Sequence, residues 1–63
     1  MCLSTVYEIS DSGERLVCEH TTSIELDGAS IKLTDIIGEE ILLTGVLKSI
    51  DLVKNIVKIE SRN

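Results

Sequence analysis

The chain has 63 residues and a formal net charge of −5, with six scattered basic residues. A chain of this size forms one small domain, residues 1–63, and buries only about 60% of its unfolded surface, so its core alone is marginal. The 43% apolar content is mostly Ile, Leu and Val, with one Tyr and no Trp or Phe. The acidic balance argues against nucleic acid, whose phosphates require clustered Lys and Arg. No basic n-region followed by an unbroken apolar stretch opens the sequence, and no apolar run is long enough to span a bilayer. The expectation is a cytoplasmic protein with reduced thiols and no membrane partner. Cys2 and Cys18 alone imply no intramolecular disulfide framework.

Met1-Cys2-Leu3 opens the chain. A cysteine directly after the first methionine is poorly explained as core packing, because chain ends are the most exposed part of a domain. Cys2 is therefore expected to be an accessible thiol, with the α-amine of Met1 close by. A free thiol has a pKa of about 8.5 and an α-amine about 8, so a soft divalent metal can displace both protons near neutral pH. With Met1 retained, the amine, the Cys2 amide nitrogen and the Cys2 sulfur close fused five-membered chelate rings. Without Met1, the Cys2 amine and thiolate still close one ring. Planar nitrogen and thiolate donors suit Ni(II) or Cu(II) better than Zn(II), which prefers a tetrahedron. One Cys2 supplies too few donors; two related by a twofold axis complete a square-planar set. The competing reading is an incidental exposed thiol, and the residue alone does not decide between them.

Leu3 to Ile9 alternates, with Leu3, Thr5, Tyr7 and Ile9 on one face and Cys2, Ser4, Val6 and Glu8 on the other, which predicts a strand. Ser10-Asp11-Ser12-Gly13 reads as a turn with Gly13 free to take positive φ. Arg15 to Glu19 predicts a short second strand, in which Cys18 is a small buried hydrophobe rather than a ligand. His20, the only histidine, reads as a surface or capping residue. It gains a claim as a ligand only if the fold brings it beside Cys2. Ser23 to Leu26 and Ala29 to Leu33 read as a hairpin around Asp27-Gly28, with Ile24, Leu26, Ile31 and Leu33 turned inward.

In Thr34-Asp35-Ile36-Ile37-Gly38-Glu39-Glu40, Thr34 or Asp35 caps a short helical turn that Gly38 ends. Ile36, Leu43, Leu47 and Ile50 share a helical face, but Gly38 and Gly45 would each cost about 1 kcal/mol in a helix interior. A strand from Ile41 to Ile50 is preferred, with Gly45 marking a bulge or sharp bend. Ile41-Leu42-Leu43 is apolar on both faces, which fits a strand whose outer face meets a partner chain. Asp51 to Asn55 is a loop and Ile56 to Glu60 the last strand, with Val57 and Ile59 inward. The pattern predicts an all-β fold: a small, strongly bent antiparallel β-barrel of SH3 or OB size, with five to six short strands. Its core is Ile24, Leu26, Ile31, Leu33, Val57 and Ile59.

No constellation for catalysis is present. Ser4 and Thr5 have no evident His/Asp partners, no Gly-rich phosphate loop occurs, and Cys2 with Cys18 lacks zinc-finger spacing. A non-enzymatic role follows.

Met1-Cys2-Leu3, Asp27-Gly28, Asp35-Ile36-Ile37-Gly38-Glu39 and Lys48-Ser49-Ile50-Asp51-Leu52 together resemble the CooT family of small accessory proteins of carbon monoxide dehydrogenase. A more distant likeness is to the HypC hydrogenase-maturation chaperones, which also begin Met-Cys. The CooT resemblance implies a small β-barrel that dimerises and binds nickel through the cysteine at position 2. On that reading the metal residues are Cys2 and Met1, the bound ion is Ni(II), and the chain is a homodimeric metallochaperone. A nickel enzyme such as carbon monoxide dehydrogenase would be its partner. The alternative is a small barrel interaction module, binding protein or RNA, with Cys2 incidental.

Overall fold

Turn chemistry sets the strand boundaries in the computed structural model, which describes residues 3–62. β1 (Ser4–Ser10) turns through Asp11 and Ser12 into β2 (Gly13–Asp27), and Gly13 takes φ 117 as the turn demands. Asp27 pairs with Ser30 across a two-residue loop into β3 (Ser30–Asp35). Gly28 there has φ 60 while Ala29 does not enter the positive region, the φ pattern of a II′ turn. β4 (Glu40–Asp51) and β5 (Ile56–Ser61) follow, antiparallel to each other. β5 then lies parallel to β1, Val6 beside Val57, and closes the five strands into a barrel.

Closure depends on two long strands that each serve two neighbours. β2 pairs with β1 from Gly13 to Thr21 and with β3 from Thr21 to Asp27. Register slips on both sides of Thr21 supply the bend. The two separate strands expected at Arg15–Glu19 and Ser23–Leu26 are therefore one continuous strand. No Gly or Pro interrupts the intervening residues, and β-branched Thr21 and Thr22 favour an extended backbone.

β4 repeats the device: Glu40 to Thr44 pairs with β3, and Gly45 to Asp51 with β5. The strand expected over Ile41–Ile50 is present, and Gly45 is the point where it changes partner. Its N–H donates to the Ala29 carbonyl at 2.9 Å. A Cβ at Gly45 would overlap the Glu60 carbonyl oxygen and come within 3.2 Å of the Ile59 side chain. The glycine thus permits a close approach of backbones, while the register slip itself falls between Leu47 and Ser49.

The core is Val6, Cys18, Ile31, Leu33, Val57 and Ile59, with Val17, Ile24, Ile41, Leu43 and Leu47 packed against it. Cys18 is buried, as its alternation predicts. Leu26 corrects the expected core: it is 58% exposed although its cross-strand partner Ile31 is buried. Ile31 has a strand on each side, whereas this half of β2 has β3 on one side only. Val6 enters the core instead, because β1 is flanked by both β2 and β5.

Charged pairs decorate the outside: Arg15 with Glu8, Lys58 with Glu14, and Lys32 with Glu25 and Glu40. The hydrogen bond to Glu25 and that carboxylate's charge, with Glu40 nearby, hold the Lys32 amine above its ordinary value. Exposed pairs of this kind contribute about 0–1 kcal/mol each, so burial and closure carry the fold.

Gly45→Ala should cost about 2–3 kcal/mol in a urea melt, because the added methyl must displace backbone. Gly28→Ala, where a Cβ meets nothing within 4 Å, should cost only about 1 kcal/mol through its positive φ. Equal losses at the two glycines would refute the close approach at Gly45.

Candidate functional site

One end of the barrel collects the start of β1 and two tight turns. Ser4 pairs with Thr21, and Thr21 with Asp35, so three chain segments lie side by side there. Thr5 donates its N–H to the Asn55 carbonyl at 2.9 Å, which brings in the β4–β5 turn. Its hydroxyl reaches the Glu19 carbonyl at 3.4 Å, across the β2 bend.

The two turns are built alike. The Asp35 carboxylate accepts from the Ile37 and Glu39 N–H groups at 3.1 and 2.8 Å, and Gly38 takes φ 89. Asp35 and Glu39 also pair through the Asp35 N–H at 3.0 Å. The Asp51 carboxylate accepts from Val53 and Lys54, both at 3.0 Å, and Asn55 takes φ 57. Asp and Asn suit such loops because their short side chains mimic a backbone turn and tolerate left-handed φ. Of the two expected caps, Thr34 and Asp35, it is Asp35 that holds the backbone, within a hairpin loop rather than a helical turn: strands β3 and β4 pair up to Thr34 and Glu40 and fix its ends.

With the polar groups turned inward to the backbone, the aliphatic side chains point out. Ile36 and Ile37 are 58% and 76% exposed, and Leu52 and Val53 are 81% and 93% exposed. Aliphatic pairs at turn tips gain nothing from solvent. A cleft separates the first half of β2 from the Asp35–Glu39 turn, lined by Val17, Glu19, His20, Ile36, Ile37 and Ile41 among others. On the other side, Ile50, Leu52 and Ile56 form a groove with Lys54 and Lys58.

The predicted metal residues, Met1 and Cys2, lie outside the described residues. Leu3 alone separates Cys2 from Ser4, so the segment that carries them joins the barrel at this end. His20 is exposed and directly precedes Thr21, the partner of Ser4. The fold thus brings the histidine to the same end as the start of β1. Thr21 is buried, and its hydroxyl has no hydrogen-bond partner among the described residues. Cys18 is 7% exposed within the aliphatic core, which removes its sulfur from this surface. Among the described residues, no three His, Cys, Asp or Glu side chains gather to hold a metal ion. No helix there is long and apolar enough to cross a membrane.

That the two aliphatic tips share one end of the barrel is set by strand pairing and not by local sequence. The signal was present in each case as an apolar pair inside turn residues: Ile36-Ile37 between Asp35 and Gly38, and Leu52-Val53 between Asp51 and Asn55.

A protein-family model described as CO dehydrogenase accessory protein CooT matches residues 1–60. Among solved structures, the chain superposes on a protein assigned as CooT from Carboxydothermus hydrogenoformans with a TM-score of 0.87. That match covers 98% of this chain and 100% of the other at 18% identity, a likeness of fold. No curated protein matches the chain by sequence.

Asp51→Ala should lower stability by about 1 kcal/mol or more, because the Val53 and Lys54 N–H groups lose their acceptor. Amide hydrogen exchange at those two groups should accelerate while the core strands stay protected. Unchanged exchange at Val53 and Lys54 would show that the carboxylate does not hold the turn.

Proposed function

The chain belongs to the CooT family of CO dehydrogenase accessory proteins, and on that premise we propose that it is a metallochaperone handling Ni(II) for maturation of that enzyme. It binds rather than catalyses. Cys2 contributes its thiolate, and the Cys2 amide and the Met1 amine contribute nitrogens. Two copies contribute the thiolate and one of these nitrogens each, so that a planar four-donor set spans a homodimer.

The observation that carries this reading is the family match together with a cysteine one residue away from the start of β1. A donor segment placed ahead of the first strand can close around an ion without disturbing the closed barrel. Cys18 cannot serve in its place, since its sulfur packs against aliphatic side chains of the core. The donor chemistry also fits: thiolate and nitrogen donors in a plane favour Ni(II) over the tetrahedral Zn(II). The exposed aliphatic tips favour a second activity of the same end, docking on another protein surface.

Titration of metal-free protein with Ni(II), followed by ultraviolet absorption, tests the reading. A thiolate-to-nickel charge-transfer band should grow to an end point of one ion per two chains. Cys2→Ser should abolish it, and Cys18→Ala should leave it intact. Affinity should fall as pH drops below the amine and thiol pKa values, because protons compete for both donors. Acetylating the amine should weaken binding with the barrel still folded. His20→Ala in the same titration reports whether the imidazole joins the donor set. If Cys2→Ser binds nickel as tightly as the parent, with the same spectrum and stoichiometry, the metal assignment is lost.

A further inference from the structure

We propose that Thr21 positions the sulfur of Cys2, its hydroxyl donating a hydrogen bond to that atom. The proposal rests on the metal reading above and deepens it, by naming the group of the barrel that fixes where the donor stands.

Thr21 is 4% exposed, and its hydroxyl oxygen is buried with no hydrogen-bond partner among the described residues. Burying an unpaired hydroxyl is unfavourable, and buried polar groups without a partner are few. Other hydroxyls of the same rim do find acceptors: Thr5 donates to the Glu19 carbonyl at 3.4 Å, and Thr22 to the Thr34 carbonyl at 3.1 Å. Packing does not call for the oxygen either. Valine has nearly the same shape and favours an extended backbone as well, so it would serve the bend in β2 without a polar atom. The barrel itself thus gives the Thr21 hydroxyl no task.

Elimination points to the N-terminal segment. Outside the described residues lie Met1, Cys2 and Asn63. β5 runs parallel to β1, with Ile56 beside Thr5 and Glu60 beside Ile9, so the chain leaves β5 at the end away from Ser4. There Arg62 donates its N–H to the Thr44 carbonyl at 3.1 Å. Thr21 instead stands opposite Ser4, which follows Cys2 by two residues. Its neighbour on the other side, Asp35, has its carboxylate committed to the Ile37 and Glu39 N–H groups.

The face of the sheet selects the atom. Residues directly opposite in an antiparallel pair share a face, so Ser4 and the buried Thr21 both belong to the inner one. Period two carries Cys2 back onto the face of Ser4 and Val6, whereas the N–H and C=O groups of a strand lie in the plane of the sheet. A diagonal neighbour on one face is within side-chain reach. What the segment offers on that face is the sulfur, and a thiolate accepts from a hydroxyl that is free to turn its hydrogen. Such a bond holds the direction of the sulfur and draws charge from it, as outer partners do for metal ligands. A trapped water is the competing occupant.

Metal-free urea melts and nickel titrations of one set of variants test the assignment. The parent, Thr21→Val, Thr21→Ser, Cys2→Ala and the Cys2→Ala/Thr21→Val double variant are compared, with far-ultraviolet circular dichroism confirming each fold. In the melts, Thr21→Val should shift the midpoint differently in the parent and in the Cys2→Ala background, because the hydroxyl has its partner only in the parent. In the titrations, Thr21→Val should raise the nickel dissociation constant on the order of tenfold. It should also move the thiolate-to-nickel band to lower energy, since the sulfur regains the charge that the hydrogen bond withdrew. Thr21→Ser keeps the hydroxyl and should restore both affinity and band position. An equal midpoint shift in the two backgrounds, or a band that Thr21→Val does not move, overturns the proposal and leaves the hydroxyl to a water. A Thr21→Ser band that matches Thr21→Val overturns it too, because shape and not the oxygen would then matter. If Cys2→Ala takes up nickel as the parent does, the metal assignment fails, and the melts alone then decide whether Thr21 holds the Cys2 sulfur.

Discussion

A closed ring of five strands forms in so short a chain because β2 and β4 each pair with two neighbours. Every strand but these two is flanked on both sides along its length; β2 and β4 bend where they change partner and so fold one half of the sheet onto the other. The bend in β2 is made by register slips around Thr21. In β4 it is made where Gly45 lets the chain pass against the Glu60 carbonyl. Without both bends β5 could not reach β1, and the parallel pair that completes the barrel would not form. Core packing is downstream of this closure, because Val6, Val57 and Ile59 face inward only once β1 and β5 are neighbours.

The closed barrel is economical but thin. Among the described residues, six supply its buried apolar core, with no aromatic ring among them. Small domains of this kind leave little surplus stability. Further burial of aliphatic surface would add to it, and three of the four most exposed large hydrophobics among the described residues, Ile37, Leu52 and Val53, lie at one end. The same end receives the start of β1.

A start of β1 anchored in a closed barrel gives the proposed metal chemistry its logic. A donor segment attached to a rigid rim can reorganise around an ion while the barrel stays fixed. A planar set shared by two chains lets both copies supply sulfur and nitrogen without a preformed cage in either. Cys18 plays the opposite part: the same element, buried among Ile, Leu and Val, serves as a small hydrophobe.

Local chemistry was legible in the sequence. Gly13, Gly28 and Gly38 marked turns because their φ values are ones that other residues rarely adopt. The cap was legible as Thr34 or Asp35 without its hairpin setting, Cys18 as buried, and the alternation of Ile31, Leu33, Val57 and Ile59 named most of the core. What the tertiary structure decided is register between segments far apart in sequence. β2 reads as two strands because its hydrophobic pattern slips at the bend, while its backbone runs on. Leu26 reads as core because period two places it beside Ile31; its exposure follows from lacking a strand on its outer side. Gly45 announces a bend, but not that the Glu60 carbonyl lies against it. The two aliphatic tips are 16 residues apart counted from Ile36 to Leu52 (52 − 36). Only barrel closure, by setting the Asp35 and Asp51 turns around the start of β1, makes them one surface.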